Sequence, residues 1–346
     1  MDAMKHTVLV LGARGRLGGA VAQAFAAAGW RVLAQRRSGG AVPAPVAGIE
    51  WVLAEPADTD TLQRTAAGAR TVVHAMNPAY TAAAWRAEAP GLMQAATDVA
   101  AALGAHLLFP GNVYNFGAGM PSVLSPDTSQ HPTTEKGRIR KDLEQRLAQA
   151  ARHHGFAATV IRAGDFFGAG SGAWLDQVIV KKLPQGRVTW PGALNVPHAW
   201  AYLPDLAQAF VRVAETAPPP AGVRFEVLHF AGHTVTGQDW LAALTEVAWE
   251  QGWLPDSGAL RTGKLPWGMM RLVSPLSATV ASLLEMRYLW DMPHALDGAA
   301  LAQRIGAESH TPFLDAVRAA ITQLDLAPRG ANSPGPQAGR SITQGV

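Results

Sequence analysis

The chain has 346 residues, 48% of them hydrophobic, which is enough for one large or two modest domains and well beyond the size at which a core is hard to build. Cysteine is absent, which excludes a disulfide framework and any thiolate metal site; no metal is expected, and a reducing compartment, the cytoplasm by default, fits. The formal net charge of +3 comes from scattered basic residues, so nucleic acid is not the implied partner. No apolar signal core precedes the first strand, and the most apolar late stretch, residues 265–290, is interrupted by Arg271, Glu285 and Arg287, so no membrane span is expected.

The first predicted element is an apolar strand, Val8-Leu9-Val10-Leu11, running into Gly12-Ala13-Arg14-Gly15-Arg16-Leu17-Gly18. Glycine at 12 permits a tight turn, glycine at 15 lets backbone approach a pyrophosphate, and glycine at 18 lets the following helix lie close on its strand. That helix carries Leu17, Val21, Ala24, Phe25 and Ala28 on one face, and its N-terminal amides point at the place of the phosphates. A second strand, residues 31–37, ends in Gln35-Arg36-Arg37. In NAD-preferring sites an acidic residue ends this strand and accepts from the ribose 2′-hydroxyl; here Gln35 is read at that place with two arginines after it, and Arg14 adds a third guanidinium. NADP is therefore favoured over NAD, the alternative being that Arg36 and Arg37 are solvated turn residues.

A third strand is expected over 49–54 and a crossover helix over 59–67, with Glu55 and Asp58 at their junction, within reach of an adenine amino group unless Asp58 is only a helix cap. Residues 71–75 form a buried strand ending in Met76-Asn77-Pro78, which places His74 and Asn77 near the cofactor, with a plain core histidine as the alternative for His74. A helix over 85–103 and a strand over 106–109 continue the alternation, predicting a doubly wound, Rossmann-like parallel α/β sheet.

Gly12-x-x-Gly15-x-x-Gly18, the two-arginine strand end, Phe109-Pro110-Gly111-Asn112-Val113-Tyr114 and the later Tyr202-Leu203-Pro204-Asp205 together resemble the extended and atypical short-chain dehydrogenase/reductase superfamily, over roughly residues 5–250. Most such enzymes carry a serine after the fifth strand and a Tyr-x-x-x-Lys pair on the next helix. In this chain Pro110 stands for the serine, and Lys136 and Arg140 stand for the tyrosine and lysine. Lys136-Gly137-Arg138-Ile139-Arg140-Lys141-Asp142-Leu143-Glu144 is similar to the Lys-x-x-Ile-Arg-Arg-x-Ile-Glu helix of the isoflavone reductase, phenylcoumaran benzylic ether reductase and eugenol synthase branch, in which the lysine is implicated in catalysis. Helical geometry agrees: Ile139, Leu143, Leu147 and Ala150 form an inward stripe and Lys136 lies in it one turn upstream. A lysine turned inward loses hydration, which moves its pKa toward the range useful for proton transfer. The alternative is a lysine snorkelling to water. Arg140 faces the same pocket or pairs with Glu144.

A sixth strand is expected over 157–162, followed by Asp165, Phe166 and Phe167 as substrate-site wall or core, a glycine-rich loop over 168–172, and a short helix over 174–182. Asp205 reads as a cap or support of the helix after it. Residues 225–330 read as mainly helical, with helices opening at Thr236 and spanning 278–290; Trp249, Trp253, Trp267 and Trp290 read as packing residues. From 328 the chain is Gly, Ser, Pro and Gln without periodicity and reads as disordered.

The organisation expected is a dinucleotide-binding domain over 5–165, with later segments returning to it, a smaller, mainly helical substrate region over 166–327, and a tail over 328–346. The function expected is NADP-dependent oxidoreduction of a small organic carbonyl or alcohol, with Lys136 handling the proton and Tyr114 or Asn112 orienting the substrate. A nucleotide-sugar epimerase or dehydratase and an NADP-sensing protein without chemistry are the alternatives. A homodimer is an assembly the sequence allows.

Overall fold

The computed structural model describes residues 6–39, 44–255 and 257–326, so the tail expected from 328 lies outside the described residues. Strand β1 (Thr7–Leu11), helix α1 (Arg16–Ala27), β2 (Arg31–Arg36), β3 (Ile49–Leu53), α2 (Thr59–Thr65), β4 (Thr71–His74), α3 (Ala82–Leu103) and β5 (His106–Gly111) follow in the expected order. Val8 and Val10 enter one core and Leu9 and Leu11 another, all fully buried, because a parallel sheet is covered by helices on both faces. Asp58 is the helix cap of α2, its carboxylate accepting from the Thr61 amide at 3.2 Å.

After a two-residue strand β6 (Val123–Leu124), α4 (Glu135–His154) leads to β7 (Ala158–Arg162) and β8 (Asp165–Phe167). Then come β9 (Arg187–Trp190), β10 (His198–Tyr202), α5 (Leu203–Glu215), β11 (Phe225–His229), β12 (His233–Val235) and α6 (Gly237–Glu250). The last elements are β13 (Arg261–Lys264), α7 (Trp267–Val273), α8 (Ala278–Glu285), β14 (Ala295–Leu296), α9 (Ala299–Ile305) and α10 (Phe313–Gln323). The main sheet has seven strands in the order β11-β7-β5-β4-β1-β2-β3, all pairs parallel. It is the doubly wound Rossmann-like fold, and the order reverses between β1 and β4, where such sheets open a crevice for ligand at their carboxyl ends.

Three expectations need correction. Phe225–His229, read as the start of a mainly helical region, is the edge strand of the main sheet, paired in parallel with β7; five residues among helices are too short a run for periodicity to reveal. The helix expected over 174–182 is a single wide turn, Leu175–Ile179, closed between Gly-rich sequence and Pro184. The helix expected over 278–290 breaks at Met286 into α8 and a separate tight turn, Arg287–Trp290. Of the two readings of Asp205, support holds: its carboxylate accepts from the Thr311 amide at 2.8 Å and hydroxyl at 2.9 Å, tying α5 to the start of α10.

A third core joins β8, β9 and β10 to α6 and α10 around Trp190, Trp200, Trp240 and Trp290, with Trp253 and Trp267 packed against it. No described helix is long and apolar enough to cross a membrane.

Candidate active site

The turn after β1 is shaped by backbone crowding. Gly12 has φ +79°, and a Cβ there would lie 2.8 Å from the Met76 amide nitrogen; a Cβ at Gly18 would collide with the Gly12 carbonyl oxygen. Gly15 differs: only the Gly12 carbonyl lies near its missing Cβ, at 3.3 Å, so its outer face is open. Helix α1 begins on Gly15 with no side-chain cap and no acidic residue in its first turn, which leaves its leading amides and their partial positive charge available to an anion. Leu17 contributes only backbone here, since its side chain is in the core.

Gln35, read at the strand end as the ribose residue, is turned inward. Its side chain is buried, accepting from the Gly12 amide at 2.8 Å and donating to the Ala54 carbonyl at 2.7 Å, so it clamps the glycine turn to the end of β3. Successive strand residues point to opposite faces, and the residue ending β2 is Arg36, whose Nε is buried without a partner. Arg37 is exposed beside it, and Arg14 reaches the Gly39 carbonyl at 3.3 Å. Glu55, expected near adenine, holds this turn by accepting from the Ser38 amide at 3.0 Å and hydroxyl at 2.7 Å, bonds that lower its pKa. Arg16 crosses the crevice to the Gly168 carbonyl at 2.7 Å; burial lowers its pKa against the pull of Asp176.

His74 and Asn77, at the end of β4, are parts of the wall, and the His74 Nδ1 is buried without a partner. His74 stacks on Phe109 at 5.1 Å between ring centroids, and burial, aided by the Arg140 charge, pushes its pKa down to about 3, so it is neutral. Asn77 accepts from Arg140 at 3.4 Å. Arg140 also donates to the Pro110 carbonyl at 3.0 Å and lies over the rings of Trp85 and Phe109, at 4.9 and 5.4 Å. It does not pair with Glu144. That carboxylate is taken by Arg162, through bonds of 3.1 and 2.6 Å, and by Asn115, in a buried knot beneath the β5 loop. His74, Met76, Asn77, Pro78, Phe109 and Arg140 line a narrow crevice.

The side chains capable of proton chemistry meet at the head of α4. Thr134 caps this helix, accepting from the Gly137 amide at 3.1 Å, and a Cβ on Gly137 would collide with the Tyr114 carbonyl oxygen, so the glycine lets the helix press onto the β5 loop. Lys136 is fully buried: its Nζ donates to Glu285 at 3.0 Å and lies 4.7 Å from the centre of the Tyr80 ring. Burial lowers the Lys136 pKa, and the Glu285 hydrogen bond and charge oppose that fall. The same carboxylate accepts from the backbone amides of Glu135 and Lys136, so α8 docks on the positive end of α4. The Tyr80 and Tyr114 hydroxyls are 3.3 Å apart, and the Tyr288 hydroxyl reaches the Tyr114 carbonyl at 3.5 Å. Burial raises the pKa of all three phenols, and the charge of Asp165 raises them further. Asn112 is turned back on its own loop, accepting from the Tyr114 amide at 3.0 Å.

Lys136 and Tyr114 are thus brought together, while Arg140 and Asn112 brace the walls. Tyr80, Glu285 and Tyr288 were not singled out for chemistry from sequence. The available signal was Glu285, the first acid after a 28-residue run, 257–284, that has none. A second polar pair flanks the site: His198 bonds Asp165 at 2.9 Å and packs against His294 at 4.4 Å between ring centroids.

The profile of the NAD dependent epimerase/dehydratase family matches residues 8–227. No curated protein sequence matches the chain. Among solved structures, UDP-glucuronic acid 4-epimerase from Bacillus cereus, in complex with NAD, is similar with a TM-score of 0.71 at 14% identity, covering 92% of this chain and 98% of that one. UDP-glucose 4-epimerase from Brucella ovis, also with NAD, gives a TM-score of 0.70 at 17% identity over 92% and 98%. UDP-glucose 4-epimerase from Thermotoga maritima, with UDP-glucose, gives 0.67 at 16% over the same shares.

Proposed function

Because the chain belongs to the NAD dependent epimerase/dehydratase family, we propose that it binds a nicotinamide dinucleotide, preferring NADP, and acts as an oxidoreductase on a small organic carbonyl or alcohol. The buried lysine at the head of α4 carries this reading, since an ammonium held out of water beside two phenols is suited to proton transfer. The glycine turn supports the cofactor assignment. Its cradle admits no side chain at positions 12 and 18, is open at 15, and ends in uncapped amides suited to a pyrophosphate. Arg36, Arg37 and Ser38 would hold a 2′-phosphate, Arg36 through a guanidinium whose Nε has no partner.

When bound, the dinucleotide supplies hydride donation or acceptance at nicotinamide C4. Lys136 delivers or removes the proton at the substrate oxygen from Nζ. Glu285 accepts a hydrogen bond from that ammonium, and the Tyr80 ring face favours its charge. The Tyr114 hydroxyl, linked to that of Tyr80, orients the substrate. Arg140 fixes the wall through Pro110 and Asn77 without touching the reacting atoms.

A nucleotide-sugar epimerase is the second reading, favoured by the family and by the names of the similar structures. One experiment separates them. The full chain is given NADPH with a panel of aldehydes and ketones and, separately, oxidised NAD or NADP with UDP-glucose or UDP-glucuronate. NADPH consumption with a carbonyl supports the proposal; C4 inversion of the sugar without net cofactor turnover supports the second reading; tight NADPH binding with neither leaves an NADP-sensing protein.

A further inference from the structure

The segment from Arg261 to Leu276 presents its apolar side chains the wrong way round for a soluble surface helix. Met269, Leu272, Val273 and Leu276 stand at i, i+3, i+4 and i+7, the spacing of one helical face, yet they are 61, 80, 42 and 91% exposed. The opposite side is the one anchored: the Trp267 indole donates to the Pro191 carbonyl at 2.6 Å and packs against the third core. A contiguous apolar stripe held outward on a fixed element marks a surface that meets something apolar.

Charge identifies what it meets. Residues 257–284 contain Arg261, Lys264 and Arg271 and no aspartate or glutamate. All three cations are exposed, and Arg261 pairs in register with Arg187, itself exposed, across β13 and β9. An apolar ridge on a segment whose only charged residues are cations matches the interface of a bilayer carrying anionic lipid, with leucines entering the acyl boundary and arginine and lysine at the headgroups. A second copy of this chain is a poorer match, because a two-fold contact through this ridge would bring the same cations of both copies together with no carboxylate in the segment to offset them. We propose that the face built by α7 and the turn after it docks on the surface of anionic membranes without spanning them. It leads through α8 into Glu285, so the docked face adjoins the element that covers Lys136.

The test uses the full chain in co-sedimentation with vesicles of phosphatidylcholine alone and of phosphatidylcholine with about one third phosphatidylglycerol. The anionic vesicles should bind at least about tenfold more strongly, and the preference should shrink as salt rises, since each cation near an anionic leaflet is worth roughly fivefold. Leu272→Ser with Leu276→Ser, at positions so exposed that the fold does not depend on them, should remove most of the binding at unchanged melting temperature. Lys264→Ser with Arg271→Ser should remove the lipid preference. Equal or absent binding to both vesicles by the unaltered chain overturns the proposal, whatever the variants do. So does a dimer in sedimentation equilibrium that the two serine substitutions at 272 and 276 convert to monomer, which would assign the face to a second copy.

Discussion

The two ends of the site are built in different ways. The cofactor end is local: strand, turn and helix over Thr7–Ala27 supply the cradle, with one further turn at Arg36, Arg37 and Ser38. The end with the lysine is assembled from distant segments: Tyr80 before α3, Tyr114 after β5, Lys136 on α4, and Glu285 and Tyr288 well over a hundred residues further on. A local site tolerates change elsewhere in the chain and is read from a short motif. An assembled site exists only when the whole fold is formed, and it can be retuned by substituting any one of its contributors.

Replacing Lys136 tests this division most severely. Lys136→Met keeps the length and apolar stem of the side chain and removes the ammonium, and a positioned proton-transfer group contributes roughly 10²- to 10⁴-fold. Turnover with a responsive carbonyl should fall by that amount while NADPH affinity stays within a few-fold. Full turnover in the variant removes Lys136 from the chemistry, and a parallel collapse of NADPH affinity would mean that the two ends are not separable.

The reverse experiment alters the cofactor end. Arg36→Ala with Arg37→Ala should weaken NADPH and leave NADH nearly unchanged, because each charge-assisted hydrogen bond to phosphate is worth about 1.5–3 kcal/mol. At saturating NADPH the turnover number should survive. Titrated dissociation constants for both cofactors decide the matter, and equal affinities in the unaltered protein would refute an arginine-held 2′-phosphate.

Legibility in the sequence follows the same division. The glycine turn was readable because its determinants occupy consecutive residues and each has a single steric reason, which the crowding at Gly12 and Gly18 bears out. The inward direction of Lys136 was readable because helical periodicity extends the buried stripe of Leu143 and Leu147 back to it. Its partners were not readable. Nothing near Lys136 in the chain points to Glu285, since periodicity reports which face is buried and not which distant segment covers it. Arg140 shows the intermediate case: it does enter the wall of the crevice, but its donors go to Pro110 and Asn77, and Arg162 has taken the Glu144 carboxylate that spacing offered it.

Glu285 offers a finer division within the assembled end. Glu285→Gln keeps an oxygen for the Glu135 and Lys136 amides and removes the charge that holds the Lys136 pKa up against burial. With that opposition gone, the Lys136 pKa falls further. A step needing the protonated lysine then loses activity at lower pH as pH rises, so the alkaline limb of the pH profile of kcat should move toward acid. NADPH affinity should not change. An unmoved limb would leave Glu285 as a helix cap only, and a move toward alkali would contradict the assigned charge of the pair.

The smallest effect expected is on selectivity at Gln35, the residue that strand alternation displaced by one position from its expected role. Reading a strand end one residue out turns every side chain to the other face, and that slip assigns the ribose to Gln35 when the structure turns it inward to Gly12 and Ala54. Gln35→Leu keeps most of the volume and strands a buried amide and a buried carbonyl, each worth about 1–3 kcal/mol of desolvation. The melting temperature should therefore drop, and affinity for both dinucleotides should weaken together as the glycine turn loosens. The ratio of NADPH to NADH dissociation constants should hold within about threefold, or ~0.65 kcal/mol. A ratio that shifts by an order of magnitude would return Gln35 to the ribose and move the source of selectivity away from Arg36.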